Sequence, residues 1–299
     1  GVAKVSGTDQ FGADSAPADA LWLRLYRSSH ARATFQVGDL GAFAAGSDGI
    51  ETILSARDVP GENSFGVYPH LKDQPVFADG HVRYRGEAVL AIVGTREAVD
   101  GINFGDLPIE WQPQDAVTGV DAALQSGATT VHDSTPGNIL TTGRLRKGEM
   151  DAAFQSAAVA DGTLQTAFVE HAYIEPEAGF AERVGNRIEV TACTQAPYMD
   201  LDECARVLGV EKDAVRIIPS ACGGGFGGKL DASVQLPLAV AAWNLNRPVR
   251  CVYTRIESMA SSTKRHPAMV TARAAADADG RLTGFEMSAD FDTGAYASW

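Results

Sequence analysis

The amino-acid sequence predicts an α+β protein. Three observations carry that class: β-like and helix-like segments alternate along the whole chain, hairpin signals dominate its second half, and one continuous apolar run marks a deeply buried strand. In chain order, Leu21-Trp-Leu-Arg-Leu-Tyr26 alternates apolar and polar positions in part, as a strand does. Loop chemistry follows over Pro60–Gly86, with scattered Gly, Pro and Asp. Ala88-Val-Leu-Ala-Ile-Val93 is the continuous apolar run and suits a strand buried on both faces. Thr95 is placed to cap a short helix, Arg96–Ile102, which leads to a strand at Leu107-Pro-Ile-Glu-Trp111. Gln112-Pro-Gln-Asp and Asp133-Ser-Thr-Pro-Gly-Asn138 are turn chemistry within a connector.

The second half opens with a predicted helix, Met150–Ala157, and a strand, Thr163–Glu170. Gly179–Val184 and Arg187–Cys193 flank Gly185-Asn186, a two-residue hairpin signal. Asp200, with Glu203 three residues on, reads as a capping box opening a helix that ends at Gly209. A strand at Val215–Ile218 follows, then a glycine-rich loop. Ser233 is the expected cap of a helix reaching Asn246, with Pro237 tolerated in its first turn. A last hairpin pairs Met269–Ala276 with Arg281–Asp290 across Asp277–Gly280. The predicted layout is one α/β domain at 1–115, a connector at 116–146 and a second domain at 147–299.

Composition removes several function classes. The net charge of −13, with acids spread along the chain, argues against nucleic acid and against an anionic membrane surface as partners. No run reaches the length of a membrane span. The four cysteines, Cys193, Cys204, Cys222 and Cys251, have no C-x-x-C spacing, so neither zinc nor an iron–sulfur cluster is expected on this chain. Free thiols point to a reducing compartment, the cytoplasm. The abrupt start at Gly1 and end at Trp299 read as a piece of a longer protein.

Cys222-Gly-Gly-Gly-Phe-Gly-Gly-Lys229 holds five glycines in eight residues. Between a strand and a helix, such a loop can bring backbone N–H groups up to an anion. Gly223, Gly228 and Lys229 fit G-x-x-x-x-G-K, but the next residue is Leu230, which cannot hold Mg²⁺ as the required Ser or Thr would. Gly223, Gly225 and Gly228 also fit G-x-G-x-x-G, but no acid ends the strand near Pro248-Val-Arg-Cys-Val-Tyr. A nucleotide-binding loop is therefore the remote alternative.

The ordered company of this loop is more specific. It includes Glu170-His171-Ala-Tyr-Ile-Glu175-Pro176, Thr194-Gln195, Arg265-His266-Pro267 and Gly294-Ala295-Tyr296. The first half adds Lys4-Val-Ser-Gly7, Ser29-His30-Ala31, Ala56-Arg-Asp58-Val59-Pro60 and Gly86-Glu-Ala-Val89. With these marks the chain resembles the molybdopterin-binding subunit of the xanthine dehydrogenase / aldehyde oxidase family, its N-terminal part only. The resemblance implies a hammerhead-like domain followed by the first molybdopterin-cofactor-binding domain, incomplete here.

It also implies molybdenum hydroxylase chemistry on an aldehyde or an N-heteroaromatic, with water-derived oxygen. The cofactor would be molybdenum-molybdopterin, with its cytosine dinucleotide form as one alternative. Iron–sulfur clusters and FAD would sit only on partner domains or subunits. Gln195 matches the family glutamine beside a molybdenum oxo ligand, where its amide can donate without adding charge. Phe226 and Gly227 match the loop that approaches the metal, and Gly224 and Gly225 permit that approach. No direct metal ligand is expected. His171 is expected to be a hydrogen-bonded structural residue at a strand end, and Lys229 a solvated or helix-neighbouring charge rather than a ligand contact. Glu170, Glu175 and Glu177 are expected to pair with Arg183 or Arg187, and Arg265-His266-Pro267 to be a structural loop.

Two departures qualify the resemblance. Purine-oxidising members carry a glutamate after the loop lysine; Leu230 cannot hydrogen-bond a purine edge, so xanthine fits poorly. The family subunit is more than twice as long, and its later half carries the catalytic base, so no catalytic residue is assigned to this chain. The expected partners are the C-terminal half of the molybdenum subunit, an iron–sulfur subunit and a flavin subunit, in an oligomer, with a small-molecule substrate. The competing reading is an isolated, cofactor-free half-subunit without activity.

Overall fold

In the computed structural model, which describes residues 1–155 and 158–297, the apolar run Ala88–Gly94 is an interior strand of a seven-stranded sheet. Its side chains alternate between two cores. Ala91 and Val93 join a cluster with Leu23, Val190, Val207 and Leu238, while Leu90 and Ile92 join Phe35, Ile53, Val82 and Val99. The period-2 geometry of a strand explains why this segment carries no polar residue: both of its faces are interior.

The sheet runs in the order Val215–Pro219, Arg187–Ala192, Ala178–Val184, Val249–Val252, Leu21–Arg27, Ala88–Gly94, Ile50–Leu54. Two neighbouring pairs are parallel, Leu21–Arg27 with Val249–Val252 and Val215–Pro219 with Arg187–Ala192; the others are antiparallel. The sheet draws strands from both sides of the connector. A smaller sheet joins His81–Val82, Ala33–Val37 and Ile109–Pro113. The helix Gln235–Leu245 is buried from Gln235 to Ala242 and packs on the main sheet. Pro197–Leu208 packs against it.

These elements belong to one compact unit, made of Gly1–Ala116, Glu170–Thr263 and the stretch from Tyr296. A second unit comprises Val117–Val169 and Lys264–Ala295. Its centre is a three-stranded antiparallel sheet in the order Leu282–Phe291, Ala268–Ala276, Ala158–Thr166. Among the described residues no helix is long and apolar enough to cross a membrane.

Several predicted boundaries move. Asp200 is not an N-cap: the helix begins at Pro197, with the proline at its start and Ala196 before it. Asp200 is instead buried inside the helix, where Oδ2 accepts from Gln235 Nε2 at 3.1 Å. Glu203 faces Lys72 and Arg206 rather than a cap. The next helix begins at Gln235, and Ser233 donates its N–H and hydroxyl to Gln235 Oε1 instead of capping. The predicted Leu107–Trp111 strand lies at Ile109–Pro113. The Thr163–Glu170 strand lies at Ala158–Thr166, because its partner Ala268–Ala276 pairs with it along that length. The Met150–Ala157 helix ends at Ala153, and residues 156–157 lie outside the described residues. Thr95 does cap its helix, accepting from the Ala98 N–H, and Gly209 closes the Pro197–Leu208 helix at φ 67°.

Candidate cofactor-binding loop

The glycine loop leaves the end of strand Val215–Pro219 and is fixed from beneath by one carboxylate. Glu175 Oε2 accepts from the Gly223 N–H at 2.7 Å and from Lys229 Nζ at 2.9 Å. Glu175 Oε1 accepts from the Gly12 N–H at 3.0 Å, so the N-terminal segment joins the same anchor. The Lys229 side chain is 1% exposed, and its ammonium lies 4.6 Å from the centre of the Tyr173 ring. Burial pulls the lysine pKa down, but the neighbouring Cys193 thiol, the Glu175 carboxylate that holds the ammonium and Cys222 together more than offset that, and the net direction is upward. Burial pushes the neighbouring Cys193 thiol up to about 11, so it stays neutral. Lys229 is therefore not the solvated charge expected of it, nor does it reach out toward a phosphate. The G-x-x-x-x-G-K reading loses its lysine.

The segment 170–177 that supplies Glu175 has no regular structure, yet it is held at several points. Arg255 Nη2 donates to the carbonyls of Tyr173 at 2.6 Å and Ile174 at 2.9 Å. The Tyr173 hydroxyl donates to Glu177. Glu175 and Glu177 thus find Lys229 and Tyr173 as partners. Arg183 lies over Trp243, and Arg187 pairs with Glu189, so the expected pairing with those arginines does not form. His171 is not at a strand end and its buried Nδ1 has no hydrogen-bond partner, which corrects the expectation of a hydrogen-bonded structural histidine.

At the loop tip, Gly225-Phe226-Gly227-Gly228 forms a tight turn closed by the Gly228 N–H on the Gly225 carbonyl at 2.7 Å. Both central residues have positive φ, 52° at Phe226 and 97° at Gly227, as a type I′ turn requires. A phenylalanine in this region is uncommon and costs local strain. The turn presents its ring outward, 75% exposed.

Gln195 locks the turn. Its Oε1 accepts from the N–H groups of Gly227 at 3.1 Å and Lys229 at 3.3 Å, and its own backbone N–H donates to the Lys229 carbonyl at 2.9 Å. Two converging donors fix which end of the amide is oxygen. The other end, Nε2, is consequently turned away from the loop and has no partner among the described residues. A Cβ on Gly225 would lie 2.3 Å from Gln195 Oε1, so only glycine fits there. On the other side a Cβ on Gly228 would lie 2.8 Å from His171 Nδ1. The N–H groups of Gly224, Gly225 and Phe226 also lack hydrogen-bond partners among the described residues.

The structure therefore gathers Gln195, Gly224, Gly225, Phe226 and Gly227 into one place. What it offers is a neutral amide donor, three successive unpaired backbone donors and an exposed aromatic ring. No group of three or more His, Cys, Asp or Glu residues able to hold a metal occurs among the described residues. Such a surface suits an anionic, metal-bearing organic cofactor held by hydrogen bonds rather than by protein ligands. Sequence reasoning missed Gly12 and the anchoring role of Glu175. Glu175 stands out in sequence only as part of Glu175-Pro176, and its partners lie 48, 54 and 163 residues away.

Comparison with known proteins defines the class. Residues 131–299 match the molybdopterin cofactor-binding domain, and residues 6–115 match the aldehyde oxidase and xanthine dehydrogenase a/b hammerhead domain. The chain belongs to the xanthine dehydrogenase / aldehyde oxidase family of molybdenum-dependent oxidoreductases, within its molybdopterin-binding subunit. It is 36% identical over 99% of its length to the nicotinate dehydrogenase large molybdopterin subunit of Eubacterium barkeri, covering 69% of that protein. It is 31% identical to a probable xanthine dehydrogenase subunit of Bacillus subtilis, over all of this chain and 40% of that one. Among solved structures, quinoline 2-oxidoreductase of Pseudomonas putida 86 superposes with a TM-score of 0.88 at 27% identity, over 99% of this chain and 38% of that one. The chain thus spans about two fifths of two of these relatives and about two thirds of the third.

Proposed function

We propose that this chain forms one wall of the molybdenum–pterin site of a hydroxylase that oxidises an N-heteroaromatic substrate or an aldehyde. The observation that carries the reading is Gln195, held through Oε1 by the loop it faces, with Nε2 left free as a donor. The bound cofactor would supply the oxidation chemistry, adding water-derived oxygen to an electron-poor carbon and passing electrons on to iron–sulfur and flavin partners.

This chain's residues would bind and orient. Gln195 Nε2 would donate to a negatively polarised oxygen of the cofactor, and its neutrality avoids placing a buried charge there. The amides of Gly224, Gly225 and Phe226 would donate to further anionic oxygens of the group. The Phe226 ring would exclude water from one side of the reacting carbon and offer a flat apolar face to an aromatic substrate.

The heteroaromatic substrate class has two supports. Leu230 removes the side chain that would read a purine edge. The relatives include a nicotinate dehydrogenase and a quinoline oxidoreductase, both named for N-heteroaromatics. The catalytic base is assigned to polypeptide beyond this chain's span, along with the electron-transfer partners.

Molybdenum and pterin measured in the purified chain, alone and with any co-purifying polypeptide, test the proposal. Metal with pterin in at least one sample is the expected result. Neither in both samples favours the cofactor-free half-subunit and overturns the proposal. Gln195→Leu is expected to lower cofactor content while leaving the far-UV circular dichroism unchanged.

A further inference from the structure

Arg27 ends the strand Leu21–Arg27 and turns its guanidinium inward with only part of the fork satisfied. Nη1 donates to the Gly86 carbonyl at 3.0 Å. Nε and Nη2 are buried and have no hydrogen-bond partner among the described residues. The Tyr253 ring covers one face of the group, its centre 4.7 Å from Cζ. Glu257 is the acid whose charge acts on Arg27, yet its Oε2 accepts from the Thr254 N–H at 2.8 Å, and among the described residues Arg27 forms no ion pair. A buried charge without a paired counter-charge is a costly arrangement.

Arg27 lines a cavity of about 40 Å³, all of whose walls belong to the first compact unit. Leu25, Phe65, Val76 and Leu236 make apolar walls, and Tyr84 and Tyr253 line it as well. Burial raises the pKa of both tyrosines, so both stay neutral. One acid, Glu87, lines the cavity, and its oxygens are already used: Oε2 accepts from the Arg83 N–H at 2.6 Å and Oε1 from the Tyr296 hydroxyl. Burial also pushes its carboxyl up, which weakens it as a counter-charge. A buried water needs about 10–15 Å³, so the space admits a monatomic ion or a few waters but no organic ligand. This chain's own residues already shut both nitrogens off from solvent, so their partner has to sit inside the cavity.

We propose that this cavity is a binding site for a small inorganic anion of the halide class, held by Nε and Nη2 of Arg27. Adjacent donors of the rigid guanidinium fork can converge on one acceptor, and a charged acceptor strengthens both bonds. Water would satisfy the same donors but leave the positive charge uncompensated among apolar walls. The ion would be structural rather than a reactant. Ala232 and Ser233, which lie between the glycine loop and the helix Gln235–Leu245, share the cavity with the strand end at Arg27, so the ion would tie these segments together. The site stands independently of the cofactor reading above.

The test uses the intact chain and two probes, sodium chloride and sodium bromide. Thermal unfolding is followed as chloride replaces isethionate, a sulfonate too bulky for the cavity, at constant ionic strength. The midpoint is expected to rise by about 2–4 °C per tenfold increase in chloride once the site is close to saturation. Crystals grown in bromide are expected to show an anomalous peak within hydrogen-bond distance of Arg27 Nε and Nη2. Arg27→Met is expected to abolish the chloride dependence. The bromide position is read on the parent chain, so the test stands even where Arg27→Met does not fold. Three results would each overturn the proposal: a midpoint indifferent to chloride, bromide peaks at the protein surface alone, which would mean an adventitious ion only, or a chloride dependence that Arg27→Met retains.

Discussion

Replacing Glu175 by glutamine tests the anchor beneath the loop. The substitution keeps the shape of the side chain and an oxygen for the N–H groups of Gly223 and Gly12, but it removes the charge facing Lys229. The lysine side chain is 1% exposed, so water cannot replace the lost partner. Leaving such an ammonium uncompensated costs about 3–5 kcal/mol. Lys229→Met is expected to cost less, about 1.5–3 kcal/mol, because Glu175 would keep two backbone donors. The double variant, with neither charge, is expected to be more stable than Glu175→Gln alone. Urea unfolding of the four proteins at pH 7 gives the coupling energy, expected above about 2 kcal/mol. The sign with pH is also fixed. The folded lysine pKa is raised, so the stabilisation is complete below the unfolded value of about 10.4 and fades only as pH climbs through the higher folded value. The deficit of Glu175→Gln should therefore be flat from about pH 6 to 9. A loss under about 0.5 kcal/mol, or costs that simply add, would refute the idea that a buried charge pair holds the loop.

The remaining predictions concern the turn and its brace. Gly225→Ala places a methyl 2.3 Å from Gln195 Oε1; it should displace the amide, cost about 1–3 kcal/mol and lower molybdenum content. Gly227→Val meets nothing closer than 3.8 Å, so its cost is backbone strain at φ 97°, about 1–3 kcal/mol; its new side chain should still block cofactor docking, and unchanged metal content would show that Gly227 makes no contact. Burial pushes the Asp200 carboxyl up to about 6, with Glu203 adding to it and hydrogen bonds from Thr194 and Gln235 only partly offsetting. The folded state then holds this proton more tightly than the unfolded chain, so stability falls as pH rises from about 4 to 6, by about 3 kcal/mol from this group. Asp200→Asn should remove that fall, so that the variant gains on the parent between urea midpoints at about pH 4 and pH 7.5.

What could be read from the sequence was local. The strand at Ala88–Gly94, the Gly185-Asn186 hairpin, the Thr95 cap and the Gly209 stop each depend on neighbouring residues, and each is present. The misread helix starts share one cause. Asp200 and Ser233 have the chemistry of caps, but each is drawn into a long-range contact or a different local bond around Gln235, and tertiary partners override capping preference. At the site, motif order pointed to Gln195 and the turn. It could not reveal which end of the amide faces the loop, because that follows from N–H groups 32 and 34 residues away. Lys229 was misjudged for the same reason. A lysine after a glycine run is normally exposed, and only the folded position of Glu175 turns it inward.

The inward lysine also bears on the proposal that this glycine-rich loop serves a cofactor rather than a nucleotide. In a phosphate loop the lysine must be free to reach the ligand and the helix must start at the loop. Here the lysine is used to hold the loop down, and the helix begins only at Gln235. With its charge neutralised by Glu175, the loop presents only uncharged donors: the Gln195 amide and the N–H groups of Gly224, Gly225 and Phe226. Uncharged donors can hold the oxygens of an anionic cofactor without fixing a full positive charge beside the metal, where it would bias the electron-transfer chemistry. The anchor and the donor surface are thus one design.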